Sequence, residues 1–188
     1  MRVIAGSHRG RRLSGPQGTS LRPTSDKVRE ALFSILGPRV AGARFLDLYA
    51  GTGAVGIEAF SRGARVVTFV EADAQAIQVI RRNLTICRLL DQAELRVSLT
   101  ETFLRRRPWT APYDIVFADP PYGETAAVKL VLASADSGLL AEEAVMVIEQ
   151  ESDAESPAPA EGIRFLRRYE YGDTALVLYT PISDRPAS

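Results

Sequence analysis

The chain is poor in the residues that most catalytic and structural metal sites require: 188 residues contain one cysteine, one histidine and one tryptophan. Cys87 has no partner for an internal disulfide, and one Cys with one His cannot build a zinc site, so no metal is expected. His8 stands in an arginine-rich leader, which leaves no plausible Ser-His-acid triad. No charged start runs into an apolar stretch of roughly 7–15 residues, and no run of about 20 apolar residues follows. A cytoplasmic protein without a membrane span is therefore expected. One sign of charge is also missing locally. Residues 1–22 carry Arg2, Arg9, Arg11, Arg12 and Arg22 but no acid, although the whole chain balances 23 basic against 23 acidic residues. Such asymmetry points to a polyanion partner, most simply nucleic acid, with a solvated tail as the alternative.

A hydrophobic content of 46% is enough to bury a full core, in one domain with a small appendage. The leader "RVIAGSHRGRRLSG" reads as two short extended pieces, a hairpin displaying His8 and Arg9. The division expected is a basic extension over 1–22 and a main domain over 23–188. "RPTSDKVREALFSILG" reads as a helix capped by Thr24 or Ser25 and stopped at Gly37-Pro38. From residue 43, strands over 44–49, 65–72, 94–98, 113–119 and 144–150 alternate with helices over 54–63, 74–87, 101–106 and 125–135. That alternation predicts an α/β, doubly wound, mostly parallel sheet. The acidic stretch 151–162 reads as a loop. "IRFLRRYEYG" and "TALVLYT" then form a hairpin across Gly172-Asp173, making the last strand pair antiparallel.

"DLYAGTGAVGIEA" joins the first strand to the next helix. Gly51, Gly53 and Gly56 fit G-x-G-x-x-G, and Glu71 follows Gly51 by 20 residues at a strand end, placed to accept from ribose hydroxyls. This fits a nicotinamide dinucleotide. It also fits S-adenosylmethionine, and Asp47 separates the two, because a carboxylate there would repel a pyrophosphate yet favour an ammonium or sulfonium. Asp47 as a helix cap or buried structural acid is the other reading. A P-loop is excluded, since no Gly-Lys-Ser/Thr follows the glycines.

"ADPPY" ends the fourth strand, beside the first, so it faces the same crevice as the glycine turn. Two prolines contribute no N–H and stiffen the segment. What remains is a set of acceptors, the Asp119 carboxylate and the carbonyls of Asp119 and Pro120, with Tyr122 as a stacking face. Such a set suits a substrate that donates, an exocyclic NH2 of a nucleobase drawn out of its stack.

Together these segments resemble the RsmD-type 16S ribosomal RNA guanine-N2 methyltransferases across nearly the whole chain. The leader, "LRPTSDKVREALFSIL", the glycine turn, "FVEAD" and "ADPPY" occur in that family's order. The resemblance implies a Rossmann-like class I methyltransferase fold with a small N-terminal hairpin. It implies methyl transfer from S-adenosylmethionine to N2 of a guanine in 16S ribosomal RNA, within the small subunit or an assembly intermediate. It assigns Asp119, Pro120 and Tyr122 to the target base, and Asp47, Tyr49, Gly51, Gly53 and Glu71 to the cofactor. It assigns His8, Arg9, Arg11, Arg12, Arg22, Thr24 and Arg29 to RNA, with Asp26 nearby. The Asp that family members commonly carry after the third strand is absent from "VSLTETFL", leaving Thr100, Glu101 or a backbone carbonyl for the adenine amine. Rival readings are an amino-methyltransferase acting on DNA adenine or protein glutamine, a nicotinamide oxidoreductase, and a non-catalytic RNA-binding assembly factor.

Overall fold

The computed structural model describes residues 1–15, 25–105, 112–121, 125–134 and 138–182. Ser25 caps the first helix, α1 (Asp26–Leu36), its hydroxyl accepting from the Val28 N–H. A 3-10 turn over Gly37–Val40 then leads into β1 (Arg44–Leu48). The chain alternates through α2 (Ala54–Ser61), β2 (Val66–Glu71), α3 (Ala74–Cys87), β3 (Ala93–Val97), α4 (Thr100–Leu104), β4 (Tyr113–Ala118), α5 (Thr125–Ala133) and β5 (Leu140–Glu151). It closes with β6 (Ile163–Tyr171) and β7 (Thr174–Pro181).

Seven strands lie in the order β3-β2-β1-β4-β5-β7-β6, with the pairs from β3 to β5 parallel and both pairs made by β7 antiparallel. This is the predicted sheet, with β4 beside β1. β5 starts at Leu140, earlier than the apolar run suggests, because Leu140 pairs with Tyr113 across a register shift in β4. Strand alternation divides the core in two. Phe45, Phe69, Phe117 and Val147 pack with α1, α2 and α3, while Leu46, Val70, Val116 and Ile148 pack with α4 and α5. Phe33 of α1 stacks on Phe45 at 6.2 Å between ring centroids. Ile80 and Leu84 of α3 are fully buried, each contributing roughly 1.5–3 kcal/mol.

Gly56 sits where α2 presses on the sheet. A Cβ there would stand 2.3 Å from Phe69 Cε1 and 2.8 Å from Val67 Cγ1, both in the core. Gly56→Ala is expected to cost about 1–3 kcal/mol through overpacking, read as a lower urea midpoint. A midpoint equal to wild type would show that α2 has room to retreat.

Residues 1–13 form a narrow antiparallel ribbon: Arg2 bridges to Arg12, Val3 N–H donates to the Arg11 carbonyl, and Leu13 N–H donates to that of Met1. Val3 and Leu13 bury their side chains beneath it. The turn end docks on the C-terminal end of α2, where Ser7 N–H reaches the Ser61 carbonyl and His8 N–H reaches Ser61 Oγ at 2.9 Å. Gly6 makes this approach possible, since a Cβ at its φ of +82° would fall 1.8 Å from the Ser61 carbonyl oxygen.

Candidate active site

The acids that end the apolar runs of β1, β2 and β4 meet at one edge of the sheet. Asp47 pairs in register with Phe69 and Phe117, so Glu71 and Asp119 each lie two residues further along their strands, on the same face. Asp47 is 1% exposed, and its Oδ2 accepts from the Gly56 N–H at 2.9 Å. Gly53, the N-cap of α2, has no side chain to offer that donor, so Asp47 caps the helix from the neighbouring strand. The cap reading of this residue is therefore realised in the geometry. Burial pushes the Asp47 pKa well above the usual carboxylate range; the Gly56 hydrogen bond opposes the shift, while Asp119 and Glu71 add to it.

Glu71 is tied down by three backbone donors. Oε2 accepts from Gly51 N–H at 2.8 Å, and Oε1 accepts from Ala72 and Asp73, also at 2.8 Å. The Glu71 carboxylate thus holds the glycine turn to the end of β2. Gly51 has φ +53°, and among the described residues a Cβ there would meet only the Tyr49 carbonyl oxygen, at 3.9 Å. Backbone is therefore open to close approach at Gly51, whereas Gly53 faces Ile80 and Phe69 and serves packing. Tyr49 itself takes a left-handed conformation at φ 58°, and its hydroxyl lies 3.5 Å from Glu101 Oε1. Thr100 is 4% exposed at the start of α4.

Asp119 follows β4 and is partly buried, with Pro120 buried behind it and Pro121 exposed. Burial raises the Asp119 pKa to about 7. Tyr122, Arg22 and Thr24 lie outside the described residues. A neighbour went unnoticed in the sequence. Ala118 pairs with Ile148, so Glu149, shortly before β5 ends at Glu151, stands beside Asp119 on the same face, and it is only 4% exposed. Its signal was available, since "AVMVIE" ends an apolar run on an acid as the other three strands do.

The residues expected at RNA separate into two groups. Arg9 and Arg12 are exposed, and His8 is half-buried with Nδ1 2.8 Å from Ser7 Oγ. Arg11 is partly buried and donates to the Ile86 carbonyl near the end of α3. Arg29 departs from the expectation altogether. It is 0% exposed, donating to the Arg2 carbonyl at 2.6 Å and to Asp26 at 3.0 Å, and its Nε lies 3.9 Å from Glu58 Oε2. The ribbon covers that face of α1, so this guanidinium has no path to an RNA phosphate.

Charge tests which cofactor the crevice suits. The charges of Asp119 and Glu71 oppose the ionisation of Asp47, a strain that a bound cation relieves and a pyrophosphate aggravates. With Gly51 open to a ligand, the residues fit S-adenosylmethionine and not a dinucleotide. The sheet order and this crevice define a class I methyltransferase of Rossmann-like fold, a class that uses S-adenosylmethionine.

Comparison with known proteins narrows the class. The chain belongs to the RsmD-type family described as Conserved hypothetical protein 95, whose profile matches residues 1–180. It is 36% identical over 179 residues to Ribosomal RNA small subunit methyltransferase D of Escherichia coli K12, covering 95% of this chain and 89% of that protein. It is 37% identical over 180 residues to YlbH of Bacillus subtilis, covering 95% and 98%. The solved structure of yhhF from Escherichia coli superposes with a TM-score of 0.86 at 35% identity, over 98% of this chain and 99% of that one. The nicotinamide reading of the glycine turn falls with this membership.

Proposed function

We propose that the protein methylates the exocyclic N2 of a guanine in 16S ribosomal RNA of the small subunit. The observation that carries this reading is the acceptor-only segment Asp119-Pro120-Pro121 set against the acidic cofactor crevice. The names of the relatives supply the polymer. Bound S-adenosylmethionine supplies an electrophilic methyl on a sulfonium. Asp47, Glu71 and the turn at Gly51 hold it, with Tyr49 and Thr100 on the adenosine side.

The chain's own work is alignment. A nucleobase amine is a poor nucleophile because its lone pair is delocalised into the ring. Hydrogen bonds accepted by the Asp119 carboxylate and the Pro120 carbonyl turn that lone pair out of conjugation and fix its direction. Negative charge at Asp119 also lies where positive charge develops on nitrogen. The proton lost afterwards comes from a nitrogen that methylation has made acidic, so no strong base is needed. Tyr122 gives the extruded base a face to stack on. Arg9 and Arg12 bind phosphates.

A pH dependence follows from the Asp119 pKa of about 7. The acceptor must be ionised, so kcat/KM is expected to fall as pH drops through about 7, a limb belonging to the free enzyme. Stability has the opposite sign. The folded pKa lies above the unfolded value of about 3.9, so the folded chain binds this proton more tightly, and Asp119 becomes destabilising as pH rises from about 4 to about 7. Asp119→Asn should abolish both dependences, which pH-rate profiles and urea titrations at several pH values would read. A rate limb that persists unchanged in Asp119→Asn would assign it to another group.

The substrate is tested by offering labelled S-adenosylmethionine with undermethylated small subunits, free 16S RNA and duplex DNA in parallel. Transfer to ribosomal RNA supports the reading. Transfer to DNA alone would preserve the acceptor chemistry and discard the RNA.

A further inference from the structure

A cleft of about 630 Å³ opens between the N-terminal ribbon and α1, away from the acidic crevice. Lys27, Glu30 and Ser34 line one wall, at the helical spacing that puts them on one face of α1. Arg2, Ile4, Arg9 and Gly10 of the ribbon line the other, and Arg62 of the segment after α2 closes it. The charges in and behind the cleft are not equivalent. Asp26 is paired with Arg29 at 3.0 Å, and Arg62 is paired with the buried Glu58 at 2.8 Å while it lies over the Phe33 ring. Those pairs cancel. Arg2, Arg9 and Lys27 are exposed and make no ion pair among the described residues, against the one remaining acid, Glu30. The cleft therefore carries a net positive charge from three unpaired cations drawn from two separate parts of the chain.

Its walls are held in place beforehand. Glu58 Oε2 accepts from Ile4 N–H at 2.7 Å and Oε1 accepts from Ala5 N–H at 2.9 Å, so the ribbon is pinned from below. The Arg2 carbonyl accepts from Arg29, which pins the ribbon to α1. A cationic cleft held open by buried hydrogen bonds gives an anion a binding place without a cost of ordering the walls. The stretch from Lys27 to Ser34 rises about 10 Å along the helix, against roughly 3.4 Å per nucleotide in a stacked strand. More than one phosphate fits along it.

We propose that the cleft between the ribbon and α1 is a second RNA contact, in which Arg2, Arg9 and Lys27 bind consecutive phosphates of a single strand. The inference deepens the RNA reading above and rests on it. Lys27, on α1, becomes an RNA ligand that the basic leader does not include, and it takes the part of α1 that buried Arg29 cannot play. The strand then spans the ribbon and α1 together, so RNA binding reports on whether the two are docked.

The test is binding of free 16S RNA to the full chain over a series of salt concentrations. Compared are wild type, the double variant Arg2→Ala with Lys27→Ala, and Lys129→Ala, which removes an exposed cation from α5 on the opposite face of the sheet. Each lost single-strand phosphate contact should reduce the slope of log K against log salt by about 0.7. The double variant should therefore lose about 1.4 of slope, and Lys129→Ala should keep the wild-type slope. Acylation of Lys27 should also slow when RNA is added. Equal slopes in all three proteins, with Lys27 acylated at the same rate, would overturn this contact. A wild type with no salt-dependent binding would overturn the RNA reading itself. Unchanged S-adenosylmethionine affinity in the double variant confirms that its fold is intact.

Discussion

Asp119→Ala is expected to reduce the rate of methyl transfer by about 10²–10³-fold, with S-adenosylmethionine affinity within a few-fold of wild type. The loss follows from removing one of the acceptors that align the amine and the negative charge nearest the reacting nitrogen. Cofactor affinity is expected to survive because the residues proposed to hold the cofactor, Asp47, Glu71 and Gly51, remain. Stability above neutral pH should not fall either, since burial already disfavours the ionised Asp119 and its charge raises the pKa of Asp47. Single-turnover kinetics with a parallel calorimetric titration separate the two effects. Unchanged turnover would refute the alignment mechanism, and a joint loss of turnover and cofactor binding would reassign Asp119 to the cofactor.

Glu58→Ala should cost about 3–5 kcal/mol of stability. Glu58 and Arg29 are both 0% exposed, and the Glu58 carboxylate accepts from Ile4, Ala5 and Arg62. Its removal leaves the buried Arg29 guanidinium with only the half-exposed Asp26 as counter-charge and two ribbon N–H groups without acceptors. The ribbon should lose its hold on α2, so hydrogen exchange at Ile4 and Ala5 should accelerate far more than at β1. Glu58→Gln retains an acceptor oxygen and should fall between the two. A urea midpoint for Glu58→Ala within error of wild type would mean that Ser61 and the buried Val3 and Leu13 hold the ribbon without it.

The sheet was legible because each strand is an apolar run of the right length, and the crevice was legible because Asp47, Glu71 and Asp119 each end one. The hairpin at Gly172-Asp173 rests on similarly local chemistry. Glu58 had no local signal. Within "AVGIEAFS" it looks like the polar side of a helix, and it is buried by residues 53 and 54 positions away. Arg29 was misjudged for the same reason: "SDKVRE" reads as an exposed, salt-bridged first turn until the ribbon covers it. That Asp47 caps α2 was not evident from sequence, which favours the cofactor reading, because capping depends on the register between β1 and α2. Glu149 carried the same strand-end signal as Asp119, but no turn of unusual composition follows it.

Nucleoside analysis of the product tests the central claim most directly. Undermethylated small ribosomal subunits are treated with the protein and labelled S-adenosylmethionine, the RNA is digested to nucleosides, and the label is assigned by chromatography and mass. The account predicts label in N2-methylguanosine, appearing about 10²–10³-fold more slowly when Asp119→Ala replaces wild type. Label on a ring nitrogen, on ribose or in N6-methyladenosine would contradict it.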